Sequence, residues 1–265
     1  MRRRRNEVTV ELRKVQFLRN VTWTLSNLCR NKDPPPGIEA VKQTPALRAV
    51  GNVVTGRDDQ TEAVIDSNAL FYFRNLLTHK RSTVVKEAAW AISNITAGTK
   101  PQIQKVIEAG LVPLVIDILR RGDFKAKKEA IWVLTNYTSG AAPDQLNYLL
   151  HCDVIPVMCE QMVIKDARAL MILLEGFKNI FHNCKDIEGA QEFALEAFVE
   201  NNGTRMLEEL QEHPNNEVYE LCKKIIEQYF NEDDGEEDIH IQPDSTKDGF
   251  KFAAPVAAPP IFNFQ

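Results

Sequence analysis

The chain has 265 residues, 44% hydrophobic and 26% charged, with a formal net charge of −5. That balance lies in the ordinary soluble range, and no apolar run approaches the roughly 20 residues needed to cross a bilayer, so no membrane span is expected. Met1 is followed by four arginines and then Asn6 and Glu7, which predicts no secretory signal, and the five scattered cysteines (Cys29, Cys152, Cys159, Cys184, Cys222) fit buried free thiols in the cytosol or nucleus.

Residues 1–14 are basic, with Arg2, Arg3, Arg4, Arg5, Arg13 and Lys14 set against Glu7 and Glu11. In residues 15–43, Trp23 precedes Asn27 by one helical turn, and Asp33-Pro34-Pro35-Pro36 reads as the opening of a new unit. Residues 44–230 carry a periodic signal: Gly51-Asn52-Val53-Val54-Thr55-Gly56, Ser93-Asn94-Ile95-Thr96-Ala97-Gly98 and Thr135-Asn136-Tyr137-Thr138-Ser139-Gly140, with 42 residues between successive asparagines. Such a period predicts stacked helical units, because one unit of two or three helices can bury its apolar face only against a neighbour. Within each unit a short helix is expected near Leu70 or Leu111. A turn follows at His79-Lys80-Arg81 or Arg121-Gly122-Asp123, then a longer helix through Trp90 or Trp132. Gly98 and Gly140 fall where a left-handed helix cap is wanted. A further unit runs from Cys152 through Asn179, and the last, from Asn202 to Phe230, lacks both tryptophan and asparagine and reads as a terminal cap. Residues 231–265 open with Glu232, Asp233, Asp234, Glu236, Glu237 and Asp238, then scatter prolines among polar residues, which predicts an acidic disordered tail. The period fails once: Asn27 to Asn52 is 25 residues, about 17 short of one repeat. Residues are therefore expected to be missing between Gln43 and Thr44, where Thr44-Pro45-Ala46-Leu47 reads as the entrance to the last helix of another unit.

Positions i, i+3 and i+7 share one helix face. Glu87, Trp90 and Asn94 form such a stripe, and Glu129, Trp132 and Asn136 form it again one unit later. A core position tolerates any apolar residue of suitable volume, whereas here a carboxylate and a carboxamide recur beside the indole. Indole faces bind the stem and charge of a lysine or arginine, with a cation–π contribution of about 0.5–2 kcal/mol. The carboxamide matches one residue of an extended backbone, and the carboxylate pairs with the charged head. The ladder suits an extended Lys/Arg-rich peptide.

Leu18 through Arg30, Pro45 through Asn52 and Ala89 through Gly98 resemble the importin-α family over nearly the whole chain, and 1–14 is similar to part of that family's importin-β-binding helix. The resemblance implies an all-α, right-handed armadillo-repeat superhelical solenoid that acts as a nuclear import adaptor. It would bind proteins with basic nuclear localisation signals, link them to importin-β, and shuttle between cytoplasm and nucleus. It also implies recycling by an exportin-class receptor that meets the carboxy-terminal repeat, no cofactor and no nucleic-acid partner. Carried over by position, the minor signal-binding groove comprises Asn52, Thr61, Glu87, Trp90, Ser93, Asn94, Glu129, Trp132 and Asn136. The major groove keeps Trp23 and Asn27, and the importin-β contacts fall on Arg2, Arg3, Arg4, Arg5, Arg13 and Lys14. Arg48 stands where a tryptophan would be and should repel a basic ligand. The basic helix is cut short at Val15-Gln16-Phe17, which implies weak or absent importin-β binding and no self-inhibition of the groove.

Two other readings stay open: a truncated form that binds cargo or the export receptor but cannot support transport, and an armadillo scaffold of the adhesion or signalling kind. His151, Cys152 and Cys159 lack a fourth ligand at zinc spacing, so no metal site is expected. Glu87 and Glu129 lie a whole repeat apart on an open face, so no enzyme is expected.

Overall fold

The computed structural model describes residues 39–231, 244–246 and 249–251. The expectations for Arg2 to Arg5, Arg13, Lys14, Trp23, Asn27 and Cys29 lie outside the described residues. A long helix α1 (Glu39–Val54) comes first. Four helical triplets follow: α2 (Asp58–Asp66), α3 (Ala69–Leu77) and α4 (Ser82–Thr96); α5 (Lys100–Glu108), α6 (Val112–Arg121) and α7 (Phe124–Gly140); α8 (Pro143–Leu150), α9 (Val154–Cys159) and α10 (Ala167–Asn183); α11 (Ala190–Glu200), α12 (Gly203–Leu210) and α13 (Asn216–Tyr229). The long helices stack in chain order, α1 on α4, α4 on α7, α7 on α10 and α10 on α13. Each long helix is therefore a floor for the next, the all-α solenoid that the period predicted.

Every triplet opens with a short helix that the sequence reading did not separate. In the first three triplets its start is built by a glutamine, whereas α11 follows the left-handed Gly189. Gln60, Gln102 and Gln145 accept from the backbone N–H of Arg57, Thr99 and Ala142 at 3.0, 3.2 and 2.9 Å, closing the first turn. The amide ends of two of them reach the preceding unit: Gln102 Nε2 donates to the Asp58 carbonyl at 3.0 Å and Gln145 Nε2 to the Lys100 carbonyl at 2.9 Å. Gln102 and Gln145 are buried, so these bonds are made away from water.

This ladder also corrects the reading of the glycines. The left-handed residues are Asn68, Gly110, Asp153, Gly189 and Asn202, and neither Gly98 nor Gly140 is among them. A Cβ at Gly56 would meet Gln60 Oε1 at 1.9 Å, and one at Gly98 would meet Gln102 Oε1 at 2.1 Å. These two glycines recur because the glutamine carboxamide needs the space. Gly140 is the last residue of α7, which at 17 residues runs two residues longer than its 15-residue counterpart α4. The left-handed turns fall instead between the two short helices, at Asn68, Gly110, Asp153 and Asn202.

Pro45 differs from expectation too. It lies inside α1, which runs unbroken across the Gln43–Thr44 junction; the preceding residues continue the helix, although the ring forfeits one backbone bond. The core is continuous from Leu47 to Ile225. Its last part is aromatic: Phe198 packs edge-on against Phe177 and Phe181, with ring centroids 4.8 and 5.3 Å apart, and Phe230 stacks on Phe198 at 5.4 Å. Cys159, Cys184 and Cys222 are buried free thiols, and burial pushes their pKa values up to about 12, 11 and 11.

Residues 231–265 form a separate unit. Within it, β1 (Asp244–Thr246) pairs antiparallel with β2 (Gly249–Lys251), placing Ser245 opposite Phe250.

Candidate peptide-binding groove

The long helices place the sequence stripe on one open face. A cleft of about 470 Å³ runs across α4, α7 and α10, lined by Trp90, Ser93, Asn94, Glu129, Trp132 and Asn136, with Lys128, Arg168, Ile131, Ala169 and Ile172 completing it. Six of the nine residues expected for the groove thus converge on one surface. Trp132 is 37% exposed, enough to offer a ring face to a ligand. Trp90 lies over the preceding helix: a Cβ at Gly51 would meet its Cζ3 at 2.2 Å, so Gly51 is what lets the indole lie against α1.

The asparagines do two things. Asn136 Nδ2 donates to the Ser93 carbonyl of α4 at 2.9 Å, and Asn179 Nδ2 reaches the Thr135 carbonyl of α7 at 3.4 Å. An amide hydrogen is therefore a tie between neighbouring long helices; Asn179 Nδ2 also approaches Thr138 Oγ1 at 3.5 Å, whereas the second hydrogen and the oxygen of Asn136 can meet a ligand. Asn179 extends the series that the period had marked, but Glu175 stands where the next indole would be, and the tryptophan ladder ends there. Asn94 breaks the pattern: its Nδ2 is buried and meets no acceptor among the described residues. An unsatisfied buried donor of this kind costs about 1–3 kcal/mol.

Three expected residues sit differently. Thr61 is 3% exposed on α2, with its hydroxyl directed at the Val54 carbonyl 3.4 Å away; it does not line the cleft because its side chain closes the α1–α2 junction. Asn52 is exposed on α1, beyond the cleft, and its carbonyl accepts from Thr55 Oγ1 at 2.7 Å. Glu87 is taken by the protein itself. Arg48 grips it through two bonds, Nε to Oε2 at 3.1 Å and Nη2 to Oε1 at 2.6 Å, and Lys86 Nζ adds a third at 3.3 Å. Its carboxylate is therefore already committed, and the Arg48 charge expected to repel a basic ligand is largely neutralised.

The two carboxyls of the stripe consequently differ in acidity. Burial would raise Glu87, but the bonds and charges of Arg48 and Lys86 outweigh it and hold the group below its ordinary value. Glu129 is raised, by burial first and by the Glu87 charge, with Lys86 and Lys128 opposing. At its α10 end the cleft turns basic, with exposed Arg168 and with Lys128, which pairs with Asp166 at 2.9 Å.

Among the described residues no His, Cys, Asp and Glu cluster is arranged to hold a metal ion, and no helix is long and apolar enough to cross a membrane.

Comparison with known proteins agrees with this architecture. The Armadillo/beta-catenin-like repeat family matches residues 57–97 and 99–139, the triplets α2 to α4 and α5 to α7, and the Atypical Arm repeat family matches 195–244. Importin subunit alpha-1b of Oryza sativa subsp. japonica is 37% identical over 304 residues, covering 90% of this chain and 56% of the relative. Importin subunit alpha-2 of Arabidopsis thaliana is 38% identical over 320 residues, covering 95% and 59%. Among solved structures, a designed armadillo repeat protein in complex with the peptide (KR)4 superimposes with a TM-score of 0.69 at 26% identity, covering 84% of this chain and 85% of that one. The chain spans somewhat more than half the length of the curated relatives it matches. Both alignments are longer than the 265 residues available, so they must be opened by gaps inside this sequence. With its repeats, its stacked long helices and these relatives together, the chain belongs to the importin-α family of armadillo-repeat proteins, in an internally shortened form.

Proposed function

We propose that the cleft across α4 and α7 binds an extended, Lys/Arg-rich segment, the chemistry of a basic nuclear localisation signal, and that the chain serves as a nuclear import adaptor moving between cytoplasm and nucleus. The observation that carries this reading is the unsatisfied Asn94 amide beside two partly exposed indoles. A rotation of that amide toward a peptide carbonyl relieves the buried donor. Trp90 and Trp132 then take the stems of flanking basic side chains, and Glu129, less tightly held than Glu87, with the Lys86 ammonium 3.9 Å away, takes a charged head. The designed neighbour solved with (KR)4 supports the same ligand class, and the relatives named importin subunit alpha support the adaptor role.

Glu87 contributes indirectly, as the anchor of Arg48 and Lys86. The nine positions Asn52, Thr61, Glu87, Trp90, Ser93, Asn94, Glu129, Trp132 and Asn136 remain the proposed minor groove. In it Trp90, Ser93, Asn94, Glu129, Trp132 and Asn136 meet the peptide, while Thr61 and Glu87 hold the surrounding helices. Linkage to importin-β through Arg2 to Arg5, Arg13 and Lys14, and return through an exportin-class receptor at the carboxy-terminal repeat, complete the proposed cycle. The internal gaps favour a second reading, in which the shortened chain binds cargo without supporting transport.

Titration with a fluorescent Lys/Arg-rich peptide tests the groove: binding is expected to weaken at least tenfold in Trp132→Ala and in Asn94→Ala and to fall with salt. Unchanged affinity in both variants refutes it. Capture of importin-β by the full chain separates the transport reading from the cargo-holding one.

A further inference from the structure

We propose that Lys86 is a built-in counter-ion of the groove, one that keeps the carboxylate pair Glu87 and Glu129 neutralised and thereby limits how tightly a basic peptide binds. This inference rests on the peptide-binding reading above and concerns the same cleft.

Lys86 lies on α4, directly before Glu87 and one helical turn before Trp90. Its ammonium stands 3.3 Å from Glu87 Oε1 and 3.9 Å from Glu129 Oε1, so a single cation spans carboxylates carried by two successive long helices. Arg48 holds Glu87 from the other side, at 2.6 Å. The four side chains carry two negative and two positive charges, and their sum is zero before any ligand arrives. The two acidic residues of the stripe thus present no net attraction from this cluster to an incoming lysine or arginine.

The four members are not equally free to move. Glu87 is 4% exposed at its side chain and is held by three bonds, and Glu129 is 17% exposed, whereas Lys86 is 30% exposed and has the long flexible stem of a lysine. Arg48, although 59% exposed, is fixed in a two-pronged pair with Glu87. Of the two cations, Lys86 is the one that also touches Glu129, and a ligand ammonium or guanidinium that pairs with Glu129 must enter the space its head occupies. Peptide binding is therefore an exchange of one cation for another, in which the external charge gains only the difference between its own contacts and those Lys86 gives up.

The test is a set of titrations of the full chain with a labelled peptide of four Lys-Arg pairs, comparing the natural protein with Lys86→Met, Lys86→Gln and Lys86→Arg. Removing the charge is expected to tighten binding roughly fivefold at low salt, with the gain shrinking toward nothing near 0.5 M salt as screening takes over. Lys86→Arg should leave affinity within about twofold of the natural protein. The gain should also vanish when Lys86→Met is combined with Glu129→Gln, a dependence that a purely structural role for Lys86 would not produce. Binding by the natural chain with equal or weaker affinity in both neutral variants overturns this proposal and leaves the groove reading standing. Absence of binding in the natural chain and in every variant overturns both.

Discussion

The triplet ending in α7 and the one ending in α13 solve the same packing problem and differ on their outward faces. Both bury a long helix against its predecessor, and both begin their second short helix after a left-handed residue, Gly110 in one and Asn202 in the other. The α7 unit turns Trp132, Glu129 and Asn136 toward an open cleft, whereas the α13 unit turns Phe198 and Phe230 inward, Phe198 packing on Phe177 and Phe181 of α10 and Phe230 on Phe181 and Phe198. The solenoid is thus specified by buried positions, and ligand capacity by a stripe that varies without disturbing them. Substitutions that hit one set should spare the other.

The largest separation is expected at Phe198, a fully buried ring at the centre of the aromatic cluster. Phe198→Ala should cost about 3–5 kcal/mol, seen as a lowered urea midpoint, while peptide affinity measured on folded protein stays within twofold. Two glycines sharpen the comparison. A Cβ at Gly203 would come within 2.5 Å of three ring atoms of Phe198, and one at Gly51 would reach Trp90 Cζ3 at 2.2 Å. Both Gly→Ala changes overpack and should cost roughly 1–3 kcal/mol. Gly51→Ala alone should also weaken peptide binding several-fold, because the ring it displaces is part of the groove. Equal peptide affinity in the two variants would break the claimed independence of scaffold and stripe.

The glutamine ladder offers a smaller test. Gln102→Ala removes the carboxamide that accepts from the Thr99 N–H and donates to the Asp58 carbonyl, in a buried setting. A loss of about 1–2 kcal/mol is expected, read by thermal or urea unfolding, with no change in peptide affinity.

That ladder also marks the limit of what the sequence disclosed. The asparagine interval identified the repeat, the long helices and most of the cleft, because outward residues kept for a ligand stand out against a tolerant background. Gln60, Gln102 and Gln145 recur nearly as regularly, yet a glutamine in a polar stretch carries no visible sign of being buried, and the first short helix of each unit was missed with it. The glycines of the motif were noticed and misassigned, since a glycine needed for a neighbour's side chain and one needed for positive φ look the same in one dimension. The pairing of Glu87 was hidden for a related reason: its partner Arg48 lies 39 residues away, a separation at which pairing is invisible until the helices stack. Thr61, carried over to the groove by position, proved to be a buried seal between α1 and α2.

The finest test uses acidity, where Glu129 and Glu87 move in opposite directions from their ordinary value of 4.5. A carboxyl raised by folding binds its proton more tightly in the native state, so Glu129 contributes stability that grows as pH falls from neutral toward its raised range. Glu87 is depressed, so its contribution is present above the unfolded value and is lost only as pH falls through its lower folded value. Mild acidification therefore protonates Glu129 while the Arg48–Glu87 pair remains intact. Peptide binding should weaken by a few-fold over that interval, because a neutral carboxyl no longer attracts a cation, while this site's share of folding stability rises slightly. Glu129→Gln should flatten the pH dependence of binding, lower affinity at neutral pH and make the protein marginally more stable there. Binding and stability that decline together on mild acidification, with the same profile in Glu129→Gln, would show instead that the groove responds to acid through the scaffold and that the two sets of residues are not separable at this point.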